Sequence, residues 1–304
     1  MKFGKLTDIS AVNFDLPDDP RRTKDFSVIP SSNEAPTLYV GATGWSMKEW
    51  VGSIYPRKSK KIDFLKHYTR QFNTIELNTT HYRIPTFETI HKWRRDSAED
   101  FKFCPKIPQS ISHSKSMGIN DGKLINFCET IVQLNEKLGC CFIQLPPYFD
   151  INRMETFVTF LKYFPAEIPL AVEVRHASWF KDEKTTNRLA ELLHKNNHTF
   201  VITDVAGRRD VLHLQMTNTT AMIRFVGNNL HPSDFTRIDA WIDKLSNWFD
   251  KGLREVYFFT HEPDNINAPQ LAQYLVEKAS KYIPNIITRG PSPIKEEGTQ
   301  MSLF

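Results

Sequence analysis

At 304 residues the chain is long for one average domain, but ordinary for a closed α/β barrel of about 250 residues with terminal extensions. With 40% hydrophobic and 24% charged residues it can bury a large core, and it has no run of about 18 apolar residues that would suggest a membrane span. The formal charge of +4 neither demands nor excludes an anionic partner, although a domain holding nucleic acid by charge alone would usually be more basic.

The start, MKFGKLTDIS, lacks the apolar core of a secretory signal, so a cytoplasmic location is expected. The cysteines Cys104, Cys128, Cys140 and Cys141 form no CxxC pair and read as reduced core thiols rather than a zinc knuckle. Residues 1–37 are polar and without clear period, and read as an extension that packs on the main domain or stays partly disordered.

From residue 38 a short β-rich run alternates with helical spacing. Eight such runs occur: Leu38–Gly44, Thr74–Asn78, Phe101–Ile107, Cys140–Leu145, Leu170–Arg175, Thr199–Asp204, Ala221–Val226 and Glu255–His261. They are short, apolar and bounded by turn formers or charge, as buried parallel strands should be. Between them, Leu65, Tyr68 and Phe72 repeat at helical spacing, as do Met154, Phe157, Leu161 and Phe164; Phe235, Ile238, Trp241, Ile242, Leu245 and Trp248 give the strongest stripe. Eight alternating units predict an α/β fold of the (β/α)8 TIM type over residues 38–287. The sixth unit is expected to be irregular, because GRRDVLHLQMTN after Asp204 is a poor helix pattern. Residues 288–304 read as a flexible tail.

Barrel enzymes carry their chemistry at the C-terminal ends of strands. There the sequence places Glu76, Asn78, Lys106, Gln144, Glu173, Arg175, Asp204, Arg224 and His261. Charge inside apolar strands is costly unless paired, so its recurrence suggests one polar pocket; ion pairs of purely structural value are the plainer alternative. Glu76, Glu173, Asp204 and His261 are the candidate catalytic groups, as general base or acid. Lys106, Arg175 and Arg224 suit a phosphate or carboxylate, with Asn78 and Gln144 as polar contacts. Trp45, Tyr82 and Trp179 in the following loops suit a base or sugar ring. The same four catalytic candidates could instead hold a divalent metal, although no HxH or HExxH spacing supports this and Lys106 and Arg175 would oppose a cation. The metal state stays open, and no other cofactor is expected. Walker, GxGxxG and GxSxG motifs are missing.

The stretches GATGWSMKEWVGSIYP, FNTIELNTTHYRIP, FIQLPPYFD and LAVEVRHASWF resemble the YecE-like family, catalogued as domain of unknown function number 72, over about residues 38–282. The resemblance implies a TIM-type barrel and no established activity. Its motifs fall on Gly44, Trp45, Glu76, Asn78, Tyr82, Lys106, Gln144, Pro146, Glu173, Arg175, Trp179 and Asp204. The turn after the last strand, Thr260–Asn265, departs from the commoner form, which puts His261 in doubt as a general feature of the fold.

The chain ends Gln300–Met301–Ser302–Leu303–Phe304, which resembles the bacterial sliding-clamp-binding pentapeptide; Gln300, Ser302, Leu303 and Phe304 carry the match. The expectation drawn is a hydrolase or lyase acting on nucleic acid or a nucleotide and recruited by the clamp. Two alternatives stand beside it: an enzyme for a phosphorylated or acidic sugar-like small molecule, and a non-catalytic adaptor that binds the clamp.

Overall fold

The computed structural model describes residues 4–24 and 35–294. Its strands, in chain order, are β1 (Thr37–Gly41), β2 (Thr74–Leu77), β3 (Lys102–Pro105), β4 (Cys141–Gln144), β5 (Leu170–Glu173), β6 (Thr199–Phe200), β7 (Ile202–Asp204), β8 (Thr220–Val226), β9 (Glu255–His261) and β10 (Ile287–Arg289). All strand pairings are parallel. They form three sheets, ordered β10-β1-β9-β8-β7, β2-β3 and β4-β5-β6.

The sheets meet edge to edge through a few backbone contacts. Glu76 N donates to Ala42 O at 3.1 Å between the β1 and β2 segments, and Ile107 N donates to Phe142 O at 2.8 Å between the β3 and β4 segments. The first junction is reinforced by side chains: Val40 N donates to Asn73 Oδ1 at 2.6 Å, and the Tyr68 hydroxyl takes Ala42 N at 2.8 Å while reaching Thr74 O at 3.1 Å. Gly41 is required there, because a Cβ would lie 2.5 Å from Thr74 O. β6 and β7 are consecutive pieces of one run, broken at Val201, and they tie the second-largest sheet to the largest.

Helices alternate with the strands as the apolar spacing predicts. The stripe on Pro232–Asp250 buries Ile238, Trp241, Ile242, Leu245, Trp248 and Phe249. Pro232 opens that helix, where its missing N–H costs no bond. Glu183–Lys195 is capped by Asp182, whose carboxylate accepts from Thr185 N at 2.7 Å. Two large apolar clusters fill the space between strands and helices, and a smaller third one is built from Cys104, Cys140, Phe142, Ala171, Val201, Met222, Tyr257 and Phe259. The four cysteines are buried and unbridged. Among the described residues no helix is long and apolar enough to cross a membrane.

The sixth unit is irregular, as its poor helix pattern predicts. Between β7 and β8 there is a six-residue 3-10 turn, Ala206–Val211, broken at Arg208, where an α-helix would otherwise stand. The N-terminal extension covers this place. The Thr23 hydroxyl donates to Leu214 O at 2.7 Å and accepts from Met216 N at 2.9 Å, while Asp19 takes Lys244 and Trp248 Nε1 at 3.2 and 3.3 Å. Phe14 lies under the guanidinium of Arg237, 4.9 Å from ring to Cζ. At the other end, the expected boundary at residue 287 falls inside β10. Arg289 fastens that strand, bonding Asp100 at 2.7 Å, Thr69 O at 3.0 Å and Phe72 O at 3.1 Å. The residues Gln300, Ser302, Leu303 and Phe304 lie outside the described residues.

Candidate active site

Strand alternation builds the site one layer above the third apolar cluster. Lys106 follows Cys104 by two positions, Gln144 follows Phe142, Glu173 follows Ala171, Arg224 follows Met222 and His261 follows Phe259, so each shares a strand face with a member of that cluster. Glu76 reaches the same place from β2.

Arg224 is the hub. Its Nε and Nη2 donate to the two oxygens of Glu76 at 2.8 and 2.9 Å, and its Nη1 donates to Glu173 Oε2 at 2.6 Å. Arg175 Nε takes the other oxygen of Glu173 at 2.6 Å. Asn78 Nδ2 donates to Glu76 Oε1, and Gln144 Nε2 donates to Glu173 Oε2, both at 2.8 Å. Gln144 Oε1 in turn accepts from Lys106 Nζ at 2.9 Å. His261 Nε2 stands 2.8 Å from Glu76 Oε2. A carboxylate can only accept, so Nε2 carries the proton in this pair and the neutral ring keeps Nδ1 as its acceptor.

The ionisation states follow from this geometry. Burial alone would raise the Glu76 carboxyl, but Arg224 and His261 together hold it well below the usual range. Burial opposes ionisation of Glu173 too, yet Arg175 and Arg224 bring it down to about 2. Both are therefore anions at neutral pH, and neither is a ready proton donor. Burial lowers His261, outweighing the pull of Glu76. Burial, with Arg224 adding repulsion, brings Lys106 down to about 8. His81 is brought to about 4 by burial and by Lys106. Glu262 moves the other way, raised to about 7 by burial with Asp234 adding to it.

Above this layer lies a cavity of about 710 Å³. Asn78, Lys106, Gln144 and His261 line it from the strand ends; His81, Tyr82, Asn228, Asn229 and Glu262 line it from the loops; and Gly4 to Ile9 of the N-terminal segment contribute as well. Glu76, Glu173 and Arg224 sit beneath and are nearly inaccessible.

Of the residues singled out from sequence, the structure brings Glu76, Asn78, Lys106, Gln144, Glu173, Arg175, Arg224 and His261 into one network, with Tyr82 exposed at the cavity rim. Three stand elsewhere. Asp204 faces the helix Pro232–Asp250 and is claimed by Arg237 Nη2 and Trp241 Nε1, each at 2.8 Å, and by Arg209. It shares a strand face with Ile202, a member of the outer core. Trp179 is fully buried, its indole N–H donating to Phe149 O at 2.7 Å. Trp45 packs edge-on against Trp93 at 5.8 Å. Among the described residues no group of three or more His, Cys, Asp or Glu side chains is arranged to hold a metal. A cation at Glu76 or Glu173 would first have to displace Arg224.

Sequence reasoning missed Glu262 and residues 4–9. Glu262 sits in the departing turn after the last strand and holds the loop opposite, accepting from Asn229 N at 2.8 Å. No pattern in the polar N-terminal stretch marks residues 4–9 as cavity lining.

The model of the family described as "Protein of unknown function DUF72" matches residues 39–295. The chain belongs to this family. It is 30% identical to the UPF0759 protein YecE of Escherichia coli K12, over 82% of this chain and 95% of that one. It is 31% identical to the UPF0759 protein YunF of Bacillus subtilis 168, over 47% of this chain and 52% of that one. Its fold is similar to the crystal structure of a DUF72 family protein from Enterococcus faecalis V583, with a TM-score of 0.64 at 18% identity over 85% of this chain and all of the other. A DUF72 family protein from Thermotoga maritima MSB8 gives a TM-score of 0.58 at 26% identity, over 81% and 98% of the two chains.

Proposed function

We propose that this DUF72 member is an enzyme that acts on a small organic anion, held at the carboxyl-terminal mouth of what we read as one (β/α)8-type barrel. The barrel reading rests on the edge contacts that link the three parallel sheets through β1–β2, β3–β4 and the β6–β7 run. The functional reading rests on one observation: Lys106, Asn78, Gln144 and His261 line a single cavity over a Glu76–Arg224–Glu173 bridge whose charges are already paired.

With Arg175 on Glu173, two glutamates and two arginines cancel beneath the cavity, so Lys106 leaves an excess of positive charge at its floor. Burying so many ions costs several kcal/mol per ion before pairing, more than a fold needs to spend for stability alone. A volume of about 710 Å³ lies within the usual range for small-molecule sites. A phosphorylated or carboxylated sugar-like molecule fits this description, and so does a single nucleotide. A continuous nucleic-acid strand fits it less well, because Gly4 to Ile9 line the same mouth. Glu262, raised to about 7, is the group suited to proton transfer near neutral pH, with neutral His261 offering Nδ1 as an acceptor beside it.

Thermal unfolding in a panel of phosphorylated and carboxylated metabolites tests the reading. A true ligand at one hundred times its dissociation constant stabilises by about 2.7 kcal/mol. The stabilisation should vanish in Lys106→Met; a panel without any stabilising anion would sink the proposal.

A second reading, recruitment to the sliding clamp, is favoured by the sequence Gln300–Met301–Ser302–Leu303–Phe304 alone. It predicts clamp binding by the full chain and none by a chain ending at Thr299. Equal binding by both would remove it.

A further inference from the structure

We propose that Lys106 is the covalent centre of the cavity, its Nζ condensing reversibly with the carbonyl carbon of a small carbonyl-bearing anion to form an imine. This rests on the small-anion reading above and narrows its substrate class to aldehydes and ketones that carry a carboxylate or phosphate.

The argument begins with what Lys106 lacks. Among the described residues it has no carboxylate within ion-pair distance, and its Nζ is given one hydrogen-bond acceptor, the neutral amide oxygen of Gln144 at 2.9 Å. The two carboxylates nearby are committed elsewhere. Both oxygens of Glu76 take Arg224, with Asn78 and His261 adding to them, and both oxygens of Glu173 take arginines. Gln144 cannot turn to offer Lys106 anything else, because its Nε2 is fixed on Glu173 at 2.8 Å. Burial and the guanidiniums of Arg224 and Arg175 destabilise the ammonium relative to its amine, and Glu76 and Glu173, bonded to those arginines, offset this only in part. Were charge alone wanted here, arginine would serve better, since it stays charged and binds carboxylate or phosphate with two parallel bonds. An amine that is buried, short of counter-ions and open to a cavity is the arrangement that makes lysine a nucleophile toward carbonyls.

The step balances without any further reagent. The Nζ lone pair attacks the carbonyl carbon and a C–N bond forms. The carbonyl oxygen leaves as water, taking the two protons that the ammonium gives up on becoming a protonated imine. The resulting cation keeps the positive charge that Lys106 began with, so the Glu76–Arg224–Glu173 bridge beneath is undisturbed.

The experiment uses the full chain with glyoxylate, pyruvate and dihydroxyacetone phosphate, each with cyanoborohydride, followed by intact mass and peptide mapping. In parallel, thermal unfolding is measured with the same compounds and with glycolate, lactate and glycerol 3-phosphate, which keep the anion and lack the carbonyl. The expected result is a single reduced adduct on Lys106 with at least one carbonyl compound, lost in Lys106→Arg. Mapping of the native chain decides the matter even if that variant folds poorly. Stabilisation by the anions with Lys106 unmodified would overturn the imine and leave the small-anion reading standing. Adducts spread over exposed lysines with Lys106 spared would also overturn it. No stabilisation and no adduct on Lys106 with any of the six compounds would overturn both.

Discussion

Arg224 meets Glu76 edge-on, with Nε on one carboxylate oxygen at 2.8 Å and Nη2 on the other at 2.9 Å, while its third nitrogen reaches Glu173. All three side chains are almost completely buried. Removing the guanidinium therefore leaves buried Glu76 without a permanent counter-ion and takes from Glu173 one of its two arginines. Arg224→Met should lower the free energy of unfolding by about 3–5 kcal/mol, as breaking a buried pair from one side generally does. Urea titration measures this. A loss below about 1 kcal/mol, the value typical of surface pairs, would mean that the bridge is open to solvent.

The same bridge sets the acid limit of the fold. Glu173 ionises at about 2 in the folded chain, against an ordinary value of 4.5. A carboxyl whose folded pKa is depressed stabilises fully above its unfolded pKa and loses that contribution as pH falls toward the folded one. The window is thus about 4.5 down to about 2 for Glu173, and Glu76 acts in the same direction. The Glu173 contribution is about 3 kcal/mol at one and a third kcal/mol per pH unit. Unfolding free energies measured from pH 6 to pH 2.5 should fall steeply in the native chain and less steeply in Glu173→Gln. Parallel curves would show that Glu173 is not ionised more readily in the fold.

His213, which does not line the cavity, gives a second acid-sensitive point. Its Nδ1 accepts from Gln215 N at 3.3 Å, and its Nε2 lies 3.0 Å from Val201 O, so both nitrogens are used by the neutral ring. Burial lowers it to about 3. Between the ordinary 6.5 and about 3 the unfolded chain takes up a proton that the folded chain refuses, so stability falls as pH drops through that window. An NMR titration should show no ionisation of His213 above pH 4. A midpoint near 6 would contradict the buried, doubly bonded ring.

Alternation made much of this legible. Glu76 and Asn78 stand two positions apart at the end of one strand run, and they share a 2.8 Å hydrogen bond. Lys106, Gln144, Glu173, Arg224 and His261 were found at strand ends and meet in one network. The same rule, applied strictly, would have removed Asp204 from the site: Val201 belongs to the inner cluster, so Asp204 falls with Ile202 on the opposite face. Trp179 was beyond this reasoning because it lies on a loop, where no period fixes direction. The missing helix after β7 was foreseen from a poor pattern, but its replacement by residues 14–23 depends on contacts nearly two hundred positions away, such as Thr23 with Leu214. A local pattern carries no trace of a partner so distant.

That replacement predicts what deleting the extension does. A chain beginning after Lys24 loses the Thr23 bonds to Leu214 and Met216, the Asp19 contacts with Lys244 and Trp248, and the ring of Phe14 over Arg237. It should unfold at lower urea, and hydrogen exchange should rise first in residues 206–218. It should also admit ligands to the cavity faster, because Gly4 to Ile9 no longer line the mouth. Unchanged exchange in residues 206–218 would show that the extension rests on the surface without supporting it.

Asp204 and Lys106 offer the sharpest separation of structure from chemistry. Asp204 is fully buried and bonded to Arg237, Arg209 and Trp241, away from the cavity lining. Asp204→Asn removes the charge that two arginines share and leaves them partly uncompensated, a change worth about 3 kcal/mol when one side of a buried pair is lost. Lys106→Met removes a cation that no carboxylate pairs and fills its space with an apolar chain of similar length, so stability should change little. Ligand-induced stabilisation should follow the opposite order, kept in Asp204→Asn and lost in Lys106→Met. If both variants lose ligand response in proportion to their stability, Lys106 is part of the same scaffold as Asp204. If they separate, the layer above Arg224 is where the chemistry of this chain is carried out.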